Sequence, residues 1–412
     1  MKILAVFGRS NYGKADRGIS YEYANFFPAL EKLGHKVEFF ESWDRSKYKN
    51  FTELNIDLLK KIESMAPDIV FLVVYTYEIW LESLKAIMKY TDAAVISWGT
   101  DDSWKFRQCS RYIAPYVDIH ATTDEKTLIR AKKYGVTSVV KTQWAADSTT
   151  LTKPIPAKEC RYQVTFVGTA YGKRSKYIYK LKETGFNIEC FGYGWPNGPV
   201  SMEEVRDIYL NSAISLNFSG SFGLLPKIIG RVSSQIKART FEVPGAGGFL
   251  LTEYAHGIEE YYEPEQEIVT FIDLDDLIKK IGYYLSRQEE RDYVSRKGFQ
   301  KTKTSHTYIH RFQWLLEEAR SRARLRHHED NASSKSLGDE INRLSENWNS
   351  IRTSIALQLV KRMVMTTCSA LFGKDKGPRA ARRIVYEVSW RCFGEKTYSP
   401  ESLPGRLFYK ES

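Results

Sequence analysis

A chain of 412 residues that is 42% hydrophobic and 14% aromatic is too apolar to be disordered and long enough for two or three cores. The net charge is +11, and residues 340–412 contribute 13 Lys/Arg against 7 Asp/Glu, so +6 of it lies at the end. The five cysteines, Cys109, Cys160, Cys190, Cys368 and Cys392, are scattered and odd in number with no C-x-x-C pair, which excludes a disulfide framework and a zinc ribbon and suits a reducing cytoplasm.

The opening MKILAVFGRS reads as a buried first strand, because it lacks the small-residue cleavage site of an export signal. No run reaches the roughly 18 uninterrupted apolar residues of a spanning helix. The nearest, IALQLVKRMVM (355–365), carries Lys361 and Arg362 in its middle, so no membrane crossing is expected. A cytoplasmic protein is expected, with peripheral contact at the inner face of the membrane as the role of its basic end.

Strand-like runs follow at KILAVF (2–7), KVEFF (36–40), DIVFLVV (68–74), AAVISW (93–98), VDIHAT (117–122) and SVVKT (138–142), separated by helix-length amphipathic stretches. Continuous apolar runs between helices mark a parallel sheet covered on both faces. Residues 1–150 therefore read as one doubly wound domain. The segment 149–161, TTLTKPIPAKECR, has two prolines and no periodicity and reads as an interdomain connection. A second alternation has strands at 162–168, 187–192, 213–218, 248–252 and 267–271, with helical patterns at 171–184, 201–211, 233–242 and 273–286, so residues 151–320 read as a second open α/β sheet. Two such domains facing each other bind ligands outside the carboxyl ends of their strands.

Two loops at such ends carry chemistry. In FVGTAYGKRSKY (166–177) a strand runs into Gly168 and Thr169, then Gly172, Lys173 and Arg174 open a helix, which together suit a phosphate. In KARTFEVPGAGGFLL (237–251) a helix expected to stop at Pro244-Gly245 puts Arg239 and Glu242 on one face, and Gly245, Gly247 and Gly248 leave room for a ligand against the backbone. The plain alternative is a helix–strand connection with a surface ion pair. Trp195, in the turn-rich FGYGWPNGP (191–199), can stack on a base or sugar or be buried between domains.

These two halves, FVGTAYGKR and RTFEVPGAGGFLLTEY, with the continuation through 258–316, resemble the CgeB-like bacterial glycosyltransferases. The likeness is looser in the first domain, where it rests on the opening strand, LGHKVEFFE (33–41) and SWGTDDSW (97–104). The resemblance implies a GT-B fold of two facing Rossmann-like domains with a helical extension at 321–412. It implies transfer of a sugar from a nucleotide-sugar, held by the second domain, to a glycan or lipid-linked saccharide of the cell envelope. No metal and no cofactor are implied. The resemblance places a ribose-binding glutamate at Glu242, and the residues themselves supply the rest of the candidate donor site: Gly168, Thr169, Lys173, Arg174, Trp195, Arg239, Thr240, Gly245 and Gly247, with Lys227, Arg231 and Lys237 as outlying cations. Related retaining enzymes carry a glutamate eight positions before Glu242, where this chain has Ser234. Retaining and inverting chemistry both stay open.

Fixed cations can stabilise a leaving nucleoside diphosphate without a divalent ion, and an ionised carboxylate can accept both ribose hydroxyls. An inverting enzyme also needs a base in the first domain. Asp101 and Asp102, just past the strand at 93–98, and Asp16, in the loop after the first strand, are the candidates. Asp102 can equally cap a short helix. His306 and His310 are more in keeping with packing than with a metal, since no H-E-x-x-H surrounds them. A degenerate, non-catalytic binding scaffold is the alternative function. An NAD-dependent oxidoreductase is disfavoured, because GRSNYG follows the first strand where G-x-G-x-x-G is needed.

In the tail, Leu337, Ile341, Leu344, Trp348, Ile351 and Ile355 follow the a/d spacing of a short coiled coil, which suggests a homodimer, although packing on the protein's own body fits the same spacing. Beyond it, 360–393 mixes apolar and basic residues as interfacial helices do, so an anionic membrane surface is an expected partner. No zinc-finger spacing or RNP signature supports nucleic acid.

Overall fold

The computed structural model describes residues 1–220, 234–329 and 336–411. The chain folds as two compact units, Met1–Thr142 with Gln313–Ser412, and Gln143–Phe312.

The first unit is built on strands β1 (Lys2–Phe7), β2 (Lys36–Glu41), β3 (Ile69–Leu72), β4 (Ala94–Gly99), β5 (Ile119–Thr122) and β6 (Val139–Lys141). They form one all-parallel sheet in the order β2-β1-β3-β4-β5-β6. The order reverses between β1 and β3, and ligands of such sheets bind outside the carboxyl ends at that reversal. Helices α1 (Tyr21–Lys32), α2 (Phe51–Met65), α3 (Leu81–Tyr90) and α4 (Glu125–Lys133) complete the crossovers. Ser20 caps α1 by accepting from Tyr23 N, and Asn50 caps α2 by accepting from Glu53 N.

The second unit has strands β7 (Tyr162–Val167), β8 (Ile188–Phe191), β9 (Ser212–Asn217), β10 (Leu250–Glu253) and β11 (Val269–Phe271), all parallel, in the order β11-β10-β9-β7-β8. Its reversal lies between β7 and β9. Helices α5 (Lys173–Glu183), α6 (Met202–Leu210), α7 (Arg239–Gly245), α8 (Leu274–Ser286) and α9 (Gln288–Ser305) cover the two faces, so apolar clusters form on both.

Each of the eleven strand-like runs becomes a strand, within three residues at either end. Two boundaries differ from the sequence reading. The helical pattern at 233–242 becomes a helix only from Arg239, and it ends at Gly245, as the Pro244-Gly245 stop led one to expect. The segment 149–161 is not a free connection but is bonded to the second unit. Thr152 N donates to Gly245 O at 3.0 Å, Arg291 donates to Ile155 O at 3.1 Å and Ala157 N donates to an Asp292 oxygen at 2.9 Å.

The tail does not form a separate domain. In helix α10 (Tyr308–Glu329) one nitrogen of Arg326, itself in the first unit, donates to both Asp118 oxygens at 2.7 Å. Helix α11 (Leu337–Ser350) then buries Leu337, Ile341, Leu344 and Trp348 in the same apolar cluster as Leu54, Leu58 and Ile62 of α2, with Trp348 edge-on to Trp80 at 4.9 Å. The coiled-coil seam is therefore spent within the chain. Ile355 belongs to a new helix and is exposed, which overturns a continuous dimer seam through that residue. Helices α12 (Ile355–Phe372) and α13 (Gly377–Phe393) follow, and Tyr398 and Tyr409 return to the core. By length and composition α12 is apolar enough to cross a membrane, against the sequence reading that set it aside for Lys361 and Arg362.

Candidate active site

At the β7/β9 reversal the chain leaves β7 through Phe166, Val167 and Gly168. Gly168 has φ +153°, and a Cβ there would stand 2.8 Å from an Arg239 nitrogen, so glycine is required for the arginine to lie against the backbone. Gly192, at φ +119°, is needed for the same reason: its Cβ would meet Gly168 O at 2.6 Å. The loop is pinned by Gly168 N donating to Phe191 O at 2.7 Å and Ala170 N donating to Tyr193 O at 2.8 Å.

Two guanidinium groups converge on this loop. Arg174 is buried at the start of α5, donates to Thr169 O at 3.2 Å, and lies 4.0 Å from the Tyr171 ring and 5.5 Å from the Phe166 ring. Arg239, at the first turn of α7, lies 5.9 Å from the same Phe166 ring. Burial and the neighbouring Arg239 pull Arg174 down to about 10, against the opposing effect of Tyr171. Glu253, whose carboxylate also acts on Arg174, is engaged by Lys173 and accepts from Ser219 N at 3.1 Å. Two cations held on one aromatic ring, with Glu253 already bound by Lys173, make a place where an anion is favoured.

The remaining donor candidates divide. Glu242 is half-buried one turn along α7 from Arg239, and both act on the hydroxyl of Tyr209. Thr169 is exposed in the loop itself. Lys173 is exposed and held in its ion pair with Glu253, so it stands at the rim. Trp195 is half-buried: its indole donates to Gly168 O at 2.6 Å and its ring meets Phe166 edge-on at 6.0 Å. Three candidates are corrected. Thr240 is buried in the core. Gly245 and Gly247 make room for the chain itself, since a Cβ on Gly245 would meet Ala146 at 2.6 Å and one on Gly247 would meet Thr152 O at 2.7 Å. Lys227 and Arg231 lie outside the described residues. His306 packs, as expected: its Nε2 is 2.6 Å from Tyr261 O, and burial lowers it to about 4.

In the first unit, Asp102 is corrected as a candidate base. Its carboxylate is buried beneath Gly99, 2.8 Å from His120 Nε2, and accepts from Ser110 Oγ at 2.5 Å. Burial alone would raise this carboxyl, but His120 and the hydroxyls of Ser110 and Thr122 outweigh it and hold it below the usual range. His120 in turn stands 3.3 Å from Ser97 Oγ. The pair is thus enclosed, with both side chains buried and bonded to each other. Asp16 is exposed in a single 3-10 turn, Ala15–Arg17. Asp101 is half-buried just past β4.

The sequence reading missed Glu22. This residue opens α1 directly above the β1/β3 reversal, and Tyr75, which follows β3, donates its hydroxyl to Glu22 Oε2 at 3.0 Å. Burial raises the Glu22 carboxyl; its own backbone N–H, Tyr75 and Lys105 oppose this, and Asp101 adds to it. Trp43, after β2, meets the Tyr75 ring at 4.6 Å, tilted by 51°. The only available signal was a glutamate in the first turn of a helix after a strand, which is also the commonest place for a helix-dipole carboxylate. Among the described residues no group of three or more His, Cys, Asp or Glu is arranged to hold a metal ion.

Residues 173–317 match the model of a family described as glycosyl transferase-like. No curated protein matches the sequence. Among solved structures, the chain is similar to sucrose-phosphate synthase from Thermosynechococcus elongatus, at 9% identity and TM-score 0.52 over 81% of this chain and 100% of that one. It is similar to the Anabaena protein HepE in complex with UDP and glucose, at 10% identity and TM-score 0.51 over 78% of this chain and 100% of that one. It is also similar to a glycosyltransferase from Rickettsia africae, at 14% identity and TM-score 0.51 over 78% of this chain and 98% of that one. The fold is GT-B, with two parallel-sheet α/β units and a helical C-terminal region.

Proposed function

We propose that this protein is a glycosyltransferase of the CgeB-like branch that moves a sugar from a nucleoside-diphosphate donor to an acceptor hydroxyl. The carrying observation is the convergence of Arg174 and Arg239 on Phe166 at the β7/β9 reversal, where Glu253, the carboxylate that acts on Arg174, is bound by Lys173. The match of residues 173–317 to a glycosyl transferase-like family supports it, and the Anabaena neighbour was solved with UDP and glucose. In this reading the diphosphate sits against Arg174 and Arg239, and Glu242 accepts the ribose hydroxyls. The bond from the sugar's anomeric carbon to the diphosphate oxygen breaks, and its electron pair leaves with the diphosphate. The acceptor oxygen forms the new bond to that carbon, and its proton passes to a carboxylate of the first unit. Glu22 or Asp101 is the base, chosen over Asp102 because the latter is enclosed with His120. Fixed cations take the place of a metal ion. The acceptor is a glycan or lipid-linked saccharide of the cell envelope, met on the cytoplasmic side.

The test is a thermal-shift series with UDP, GDP, dTDP and CMP, followed by turnover of the matching nucleotide-sugar. A ligand at about 100 times its Kd stabilises by about 2.7 kcal/mol. A shift with one nucleoside diphosphate and release of it from its sugar support the reading. A shift without turnover on any acceptor would make the protein a binding scaffold, and no shift at all would remove the donor site.

A further inference from the structure

Helix α12 is apolar on two sides. Leu357, Val364, Met365 and Cys368 pack toward Ala381, Leu407 and Phe408, which anchors the helix to the first unit. Lys361 stays on this inner side, 3.2 Å from a Glu411 oxygen and 5.2 Å from the Phe408 ring. The outer side carries Ile355, Leu359 and Met363 at successive four-residue steps, and they are 79%, 58% and 66% exposed. Single exposed apolar residues are ordinary, but a row of them on a helix whose opposite face is already packed calls for a second partner.

Charge selects that partner. Helix α12 has no Asp or Glu, and residues 351–394 hold nine Lys/Arg (Arg352, Lys361, Arg362, Lys374, Lys376, Arg379, Arg382, Arg383, Arg391) against Asp375 and Glu387. A second copy would bring two such surpluses together, and like charges across an interface oppose association. An anionic bilayer neutralises the surplus and takes up the apolar row at once. The inner stripe also gives the orientation: with Leu357, Lys361, Val364 and Cys368 against the chain's own residues, the helix lies in the interfacial plane with its outer row toward the lipid.

We propose that the outer face of α12, with the cationic segment 351–394 around it, docks this protein on an anionic lipid bilayer. The docking is independent of the transfer reaction, so either can fail alone. The test is co-sedimentation of the full chain with phosphatidylglycerol-containing vesicles and with pure phosphatidylcholine vesicles. Pelleting is expected with the former, and it should fall about tenfold or more as salt rises and the Debye length contracts. Leu359→Glu combined with Met363→Glu should abolish pelleting while the melting curve and nucleotide binding stay as in the parent. If that variant melts early, Arg362→Gln with Lys374→Gln, at two exposed positions, removes charge and should weaken pelleting at low salt. Parent protein that ignores anionic vesicles at low salt overturns the proposal, as does a folded double variant that pellets like the parent. A dimer in sedimentation velocity that the double variant dissolves would assign the face to a second copy and equally overturn it.

Discussion

The two sheets place opposite chemistry at the same topological position. At the β1/β3 reversal the first unit holds a carboxyl, Glu22, bonded to Tyr75; at the β7/β9 reversal the second holds two guanidinium groups on Phe166. Burial is the leading cause of both shifts, raising Glu22 and lowering Arg174, so each group is pushed toward its neutral form. A raised carboxyl suits proton acceptance near neutral pH, and a buried guanidinium with a second one beside it suits an incoming diphosphate. Asp102 shows the contrary case, since its partners His120, Ser110 and Thr122 overcome burial and leave a carboxylate that is stable and unavailable. Strand order fixes where a site lies, and the partners of each charge decide whether it can react.

That contrast can be broken most forcefully at Glu22. Glu22→Gln should lower the transfer rate by about 10²–10⁴-fold while leaving donor affinity unchanged. Because Glu22 must lose its proton to act and burial raises it, the acid limb of the parent's kcat/KM profile should lie above the ordinary glutamate value of about 4.3. It should be absent in the variant. A loss under about tenfold would pass the role to Asp101.

Next in size, Asp102→Ala should destabilise the first unit by about 1–3 kcal/mol in urea unfolding, because it leaves the buried His120 Nε2 and Ser110 hydroxyl without their acceptor. The folded value of Asp102 lies below the unfolded one, so its contribution is full above about pH 3.9 and fades as pH falls through the lower folded value. The gap between parent and variant should therefore be widest at neutral pH and close in acid. An equal melt for the two proteins at pH 7 would show the pair to be idle.

In the second unit, Arg239→Ala should weaken nucleoside-diphosphate binding by about 1.5–3 kcal/mol in calorimetry. Ligand-free stability should hold or rise, because Arg174 loses a like-charged neighbour. Glu242→Ala should cost about 2 kcal/mol with a nucleoside diphosphate and nothing with inorganic pyrophosphate, which has no ribose. Equal losses with both ligands would make Glu242 a support for Arg239 instead of a ribose acceptor. The smallest effect is expected from EDTA: turnover should persist, and complete loss restored by Mg²⁺ would show that the cations do not suffice.

The sequence by itself determined the strands of both sheets, because a strand buried on both faces must be a continuous apolar run and its ends follow from the flanking polar turns. It also located the loop of Gly168 and Arg174, where strand end, glycines and cations are adjacent in the chain. Its heptad spacing marked α11 as a helix with one apolar stripe, and left open whether that stripe met a second chain or, as it does, α2. What only the tertiary structure decided are pairings between distant positions. Glu22 meets Tyr75 across 53 residues, His120 meets Asp102 across 18, and Gly247 closes on the backbone of Thr152. The reason is physical: periodicity says which side of an element is apolar, whereas the neighbours of a polar side chain depend on strand order and crossover packing, which no local spacing encodes.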